Sequence, residues 1–151
     1  MRLRIITSNP GKAVEFRHAL GGLGFEIEHG DEDCDEIQAD TLREVVLSCL
    51  AQLRSRGLGD YALDDSGLFI DALKGFPGVY SSYALSTIGV DGILRLLDGI
   101  EDRSARFECC IGCSFRGEEF TVQGRCEGTI ALRPSGTGGF GFDPIFVPNG
   151  Y

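Results

Sequence analysis

The apolar period of this chain changes once, at Ala105, and that change limits the folds open to it. Upstream, apolar residues recur at three- and four-residue steps. Ala13, Phe16, Leu20 and Leu23 form one such stripe. Leu42, Val45, Val46, Cys49, Leu50 and Leu53 form a second, and Ile93, Leu94, Leu97 and Ile100 a third. This spacing is that of amphipathic helices. From Ala105 the step is two: Ala105, Phe107, Cys109, Ile111, Cys113 and Phe115 alternate with Arg106, Glu108, Cys110, Gly112, Ser114 and Arg116. A turn at Gly117-Glu118 leads into Phe120, Val122, Gly124, Cys126, Gly128, Ile130 and Leu132, which predicts a long hairpin with one half-buried face. Short strands over 2–8, 25–29, 61–64 and 68–73 separate the helices. Helix–strand units followed by a ribbon predict an α/β fold: a mixed, strongly twisted central sheet with flanking helices, two lobes around a cleft, and a single domain over 1–151.

Three stretches carry chemistry. In the first, Leu3, Ile5 and Ile6 end in Thr7-Ser8-Asn9, and Pro10-Gly11-Lys12 opens the first helix. Proline suits a first helical turn. Backbone N–H groups and the dipole at such a helix start favour an anion, and Lys12 adds a point charge; the same residues also read as an ordinary capped helix start. In the second, Tyr61-Ala62-Leu63 runs into Asp64-Asp65-Ser66-Gly67, read as a turn between two strands, followed by Leu68-Phe69-Ile70, Lys74 and a second turn at Phe76-Pro77-Gly78. Adjacent carboxylates at a strand end suit a divalent cation. In the third, Gly138-Gly139-Phe140-Gly141-Phe142-Asp143 combines glycines, which admit close backbone approach, with rings able to stack on a planar group.

Charge narrows the partners. The net charge is −9, so no broad basic surface for nucleic acid is expected. A small anion is compatible, because a metal and a few local cations reverse the sign inside a site. There are two lysines, Lys12 and Lys74, against twelve arginines, and both sit in these motif-like stretches. No apolar run reaches the length of a membrane span, and the first residues do not read as a signal peptide, so a soluble cytoplasmic protein is expected.

The six cysteines are accordingly expected to be reduced. Cys109, Cys110 and Cys113 have a spacing that invites zinc. Cys109 and Cys113 also fall on the apolar side of the period-two run, where cysteine acts as a small hydrophobe, and that reading is preferred. The acidic run Asp31-Glu32-Asp33-Cys34-Asp35-Glu36 reads as a solvated loop, with Glu36 set apart by its place before the helix that Thr41-Leu42-Arg43-Glu44 opens as a capping box. His18 and His29 have no ligand-like pairing and are taken as structural or exposed.

Together the stretches describe a phosphate cradle, oxygen-only metal ligands and a slot for a flat base. Such ligands suit Mg²⁺, with Mn²⁺ as an alternative, over zinc. Thr7-x-Asn9-x-x-Lys12-x-x-Glu15, then Asp64-Asp65-Ser66-Gly67-Leu68 through Gly75-Phe76-Pro77-Gly78-Val79-Tyr80-Ser81, then Gly138-Gly139-Phe140-Gly141-Phe142-Asp143-Pro144-Ile145-Phe146 stand in order along the chain. On these motifs the sequence resembles the inosine triphosphate pyrophosphatase family (Ham1/RdgB-like, non-canonical purine nucleotide pyrophosphatases), and it looks most like the archaeal members.

The resemblance implies a nucleotide cleft, usually in a homodimer, and hydrolysis of ITP, dITP and XTP to the monophosphate and pyrophosphate. It implies Asp65 as general base and metal ligand, with Glu36 and Asp64 completing or supporting the metal site. Lys12 and Lys74 would hold phosphates, assisted by Thr7, Ser8, Asn9 and Ser66. Phe140, Gly141, Phe142 and Asp143 would hold the base. Family members usually continue to a lysine and a Ser-His-Arg segment that grips base and phosphate, past the point where this sequence stops at Asn149-Gly150-Tyr151; a weaker hold on the base is expected only if the natural protein also ends there. A pyrophosphatase of the Maf type for modified pyrimidine nucleotides, and a catalytically impaired nucleotide-binding module, are the competing expectations.

Overall fold

The computed structural model describes residues 1–136 and 141–150. Ten regular elements follow in order: β1 (Arg2–Ile6), α1 (Pro10–Leu20), β2 (Glu26–Gly30), α2 (Leu42–Ser55), β3 (Tyr61–Ile70), α3 (Ser81–Thr87), α4 (Gly89–Leu96), β4 (Ser104–Phe115), β5 (Glu118–Ile130) and β6 (Phe146–Pro148). They build one open six-stranded sheet in the order β2-β1-β3-β4-β5-β6. The strands β2 and β3 both run parallel to β1, with Leu3 opposite Ile27 and Ile6 opposite Leu63. The edge pair β5 and β6 is antiparallel. This is the mixed α/β sheet the change of period implies.

Two compact units divide the chain. One comprises Met1–Ala39, Arg43–Asp65 and Cys110–Gln123. Its core joins Leu3, Ile5, Ala62 and Cys113 to Phe16 and Leu20 of α1. The apolar stripe of α2 is buried along its whole length, as its 3.6 period requires. The other unit comprises Asp40–Leu42, Ser66–Cys109 and Gly124–Tyr151. Its core joins Leu68 and Ile70 to Ala84, Ile93, Leu97, Ile130, Phe142 and Ile145. Arg103 ties this unit together by donating to the carbonyls of Leu97, Ile130 and Ala131 at 2.8–3.0 Å.

Four expectations change. Ser66-Gly67 is not a turn: β3 runs unbroken from Tyr61 to Ile70. The hairpin turn falls at Arg116-Gly117, one residue early, where both residues take positive φ. β4 is not half-buried on one face, because Cys110 is 1% exposed and Gly112 lies against Val46 and Leu50 of α2. Alternation reads as one wet face only when a sheet is covered on one side, and here Cys113 packs in a core while Cys110 is buried too.

The fourth is redox state. Cys34 and Cys49 form a disulfide across 15 residues, while Cys109, Cys110, Cys113 and Cys126 are not disulfide-bonded. A bridge closing a loop of this length stabilises by about 3 kcal/mol in the chain-entropy account. Burial pushes the Cys113 thiol up from its ordinary pKa, in keeping with its packing in the core.

Candidate active site

The winding of the first three strands selects one place for a ligand. β1 has β2 on one side and β3 on the other. The chain therefore reverses its direction of travel across the sheet at β1. Open α/β sheets take ligands at such switch points, beyond the carboxyl ends of the strands. Beyond Ile6 come Thr7-Ser8-Asn9, and beyond its partner Leu63 come Asp64-Asp65.

The loop after β1 is built by its own side chains. Asn9 is extended and caps α1, its Oδ1 accepting from Gly11 N–H at 2.9 Å. Thr7 Oγ1 accepts from Asn9 N–H at 3.0 Å. His29 of β2, which the sequence left without a role, is hydrogen-bonded through Nε2 to the Thr7 carbonyl at 2.6 Å. The two polar side chains fix the loop so that α1 begins at Pro10, and Lys12 lies in its first turn. The Lys12 ammonium is 3.2 Å from Asp64 Oδ2, and the Asp64 side chain is only 8% exposed.

Side chains alternate along a strand, so Asp64 and Asp65 divide between the two faces of β3. Asp64 shares a face with Ala62, which packs with Phe16 and Leu20 of α1. Asp65 shares the other with Tyr61, whose hydroxyl donates to the Leu50 carbonyl of α2 at 3.2 Å. Burial raises the Tyr61 pKa and holds that phenol neutral.

The acidic segment is anchored to this same helix, α2. Asp35 N–H donates to Gln52 Oε1 at 2.7 Å, and Gln52 Nε2 donates to the Asp35 carbonyl at 2.8 Å. Glu36, exposed, follows directly. Its neighbours are thus tied to the helix on the Asp65 side, while Asp64 is paired toward α1. Among the described residues no three His, Cys, Asp or Glu side chains gather as a preformed metal cage. Mg²⁺ does not demand one, since it is commonly held by one or two carboxylates together with substrate phosphates.

In the second unit, Ser66-Gly67 continues β3. A Cβ built on Gly67 would lie 2.3 Å from the Gly78 carbonyl oxygen and 3.2 Å from the Phe69 ring. Gly67 therefore serves close backbone approach rather than a turn. Ser81, 7% exposed, joins the two segments: its Oγ accepts from Leu68 N–H at 2.8 Å and donates to the Gly78 carbonyl at 2.6 Å. Gly67→Ala should push β3 off the Gly78 loop and break this bridge. The expected cost is about 2 to 3 kcal/mol, a fall in Tm of about 5 to 10 °C by calorimetry. An unchanged Tm would mean the Gly78 loop yields freely.

Lys74 takes a left-handed backbone (φ 58°) ahead of Gly75, so its side chain leaves a tight reversal. Arg106, also unmarked by the sequence, pairs with Asp71 at 3.3 Å and Glu108 at 3.4 Å and lies over the Phe69 ring. Phe142 is 4% exposed and packed in the second unit's core, so its ring is held by protein. Gly141 has a positive φ, and Asp143 opens a short 3₁₀ turn. Phe140, with Gly138 and Gly139, lies outside the described residues.

An open mixed sheet with a capped helix start and a lysine–carboxylate pair at its switch point defines an α/β protein built to take a small ligand there. Comparison then gives the family. Residues 3–151 match the Ham1 family model. The chain is 51% identical to the dITP/XTP pyrophosphatase of Thermococcus kodakarensis, over all of this chain and 82% of that protein. It is 46% identical to that of Pyrococcus horikoshii, over 99% of this chain and 81% of that protein. Among solved structures it resembles the nucleoside-triphosphatase / dITP/XTP pyrophosphatase of Mycobacterium abscessus (TM-score 0.76, 33% identity, 100% of this chain and 85% of that one). It also resembles the Ham1 protein of Staphylococcus aureus (TM-score 0.81, 29% identity, 97% of this chain and 80% of that one). The chain belongs to the Ham1 family.

Proposed function

We propose that this protein hydrolyses non-canonical purine nucleoside triphosphates, dITP and XTP with ITP, to the monophosphate and pyrophosphate. The observation that carries this is the polar set at the β1/β3 switch point, Thr7, Asn9, Lys12, Asp64 and Asp65, in a chain 51% identical to a dITP/XTP pyrophosphatase. Lys12 and the Ser8 N–H of the loop, whose Asn9 N–H is held by Thr7 Oγ1, take triphosphate oxygens, and Lys74 and Ser66 take others. Asp65 accepts the proton of the attacking water.

Glu36 and Asp65 are the pair that would hold Mg²⁺ or Mn²⁺, since both belong to the α2 side, and Asp64 acts as the counter-ion of Lys12. Bound there, the cation would offset the charge on the phosphates. Base selection falls to Gly141, Asp143 and the neighbouring Phe140, with Phe142 supporting from the core. A donor facing the 6-oxo group of hypoxanthine or xanthine is left unpaired by adenine, and that mismatch supplies discrimination. A homodimer and a cytoplasmic location complete the reading.

The test is pyrophosphate release from dITP, XTP, ITP, ATP and GTP with Mg²⁺. The oxo-purine substrates should exceed ATP in kcat/KM by about 10²-fold or more. Release from modified pyrimidine triphosphates alone would favour the Maf-type reading. Binding of dITP without turnover of any nucleotide would leave a binding module.

A further inference from the structure

The segment that carries Glu36 should not lie still on its own composition. Asp31, Glu32, Asp33, Asp35 and Glu36 place five carboxylates in six residues, which repel one another. Residues 31–39 form no helix or strand. Yet four successive residues are each anchored. Glu32 pairs with Arg4, and the Asp33 carbonyl accepts from Arg56. Cys34 is bonded to Cys49, and Asp35 exchanges two hydrogen bonds with Gln52. Cys49 and Gln52 stand three apart on α2, so they present neighbouring grips on one helix face. Glu36 is the first residue beyond the last grip, and it is exposed. A disulfide and an amide thus end where the candidate cation ligand begins.

We propose that Gln52 is a positioning residue for Glu36, and that the thiol–disulfide state of Cys34 and Cys49 sets the divalent-cation affinity of the chain. The proposal rests on the reading of Glu36 as a cation ligand. The chemistry balances with a dithiol as reductant. Its thiolate attacks one sulfur of the Cys34–Cys49 bond and releases the other as a thiol through a mixed disulfide. The second thiolate of the reagent then closes on the first, so the reagent leaves as its own disulfide. Two electrons and two protons pass to the protein, which ends with two thiols. Cys34 is half-buried rather than sealed, so a small dithiol reaches it. With the bond open, the Gln52 amide alone holds Asp35, and repulsion within the acidic run works against it.

The test uses the 151-residue chain, with the redox state confirmed by counting alkylated thiols by mass. Mn²⁺ affinity is read from the free-ion electron paramagnetic resonance signal, and loop order from hydrogen exchange at the Asp35 amide. Reduction should weaken Mn²⁺ binding about tenfold, within the range for partners that orient a metal ligand, and speed exchange at Asp35. The Cys34→Ser/Cys49→Ser double variant should match the reduced protein and ignore dithiol. Gln52→Leu in the oxidised protein should weaken Mn²⁺ by a similar factor, and Gln52→Glu, which keeps the acceptor for Asp35 N–H, should recover part of it.

Equal Mn²⁺ affinity in the two redox states overturns the proposal. Glu36→Gln tells which premise failed. If it weakens Mn²⁺ while reduction does not, Glu36 is a ligand and the clamp is irrelevant to it. If it leaves Mn²⁺ unchanged as well, the reading of Glu36 falls and takes the proposal with it.

Discussion

Asp65→Asn is expected to lower kcat by about 10²- to 10⁴-fold, the range spanned by a general base, while the protein stays folded. The amide is nearly isosteric with the carboxylate, so packing on β3 is kept. What is lost is the ability to take a proton and to serve as an anionic ligand. Two measurements separate these roles. The pH profile of kcat/KM in the parent should have an acid limb where the base becomes protonated, and the variant should lose that limb. Mn²⁺ affinity should fall in the variant if Asp65 also holds the cation. Matching circular dichroism and Tm would show that the loss is chemical. A variant with parental turnover would refute the assignment of Asp65 as base. Asp64→Asn gives the contrast: on the opposite face and paired with Lys12, it should leave the acid limb in place.

The contrast between these neighbours marks where sequence reading stops. Period and caps made the layers legible: α2 buries the stripe that its spacing names, and α1 starts at the proline its loop implies. The three motifs were legible because their chemistry is local. What the sequence did not carry is direction. Two adjacent carboxylates look equivalent as letters, and only their place on a continuous strand separates them. Ser66-Gly67 reads as a turn because glycine permits one, yet Gly67 is required by the Gly78 carbonyl arriving from eleven residues away.

Long-range partners were invisible for the same reason. His29 finds the Thr7 carbonyl because β2 lies beside β1, and Cys34 finds Cys49 because the acidic segment returns to α2. Gln52 and Ser81 act through hydrogen bonds to distant backbone, which no periodicity records.

Lys12→Met should produce the other large effect, and it should act on two properties at once. As a phosphate donor, Lys12 stabilises charge on the triphosphate in the transition state, and losing such a group costs about 10²- to 10³-fold in kcat/KM. As the partner of Asp64, it also compensates a carboxylate that is 8% exposed. Removing one member of a buried pair costs 3–5 kcal/mol when both are fully buried. Here Lys12 keeps 20% exposure, so a loss of about 2 kcal/mol is expected.

A lysine has three N–H donors, so it can keep Asp64 while it meets a phosphate oxygen, and the two roles need not compete. They can be parted by the double variant Lys12→Met/Asp64→Asn. With no uncompensated charge left, chemical denaturation should show most of the stability recovered, a coupling of about 1 to 3 kcal/mol between the sites. Activity should not return with it, because the phosphate has still lost its cation. If turnover rises in step with stability, Lys12 serves only to hold Asp64, and the phosphate contact belongs elsewhere.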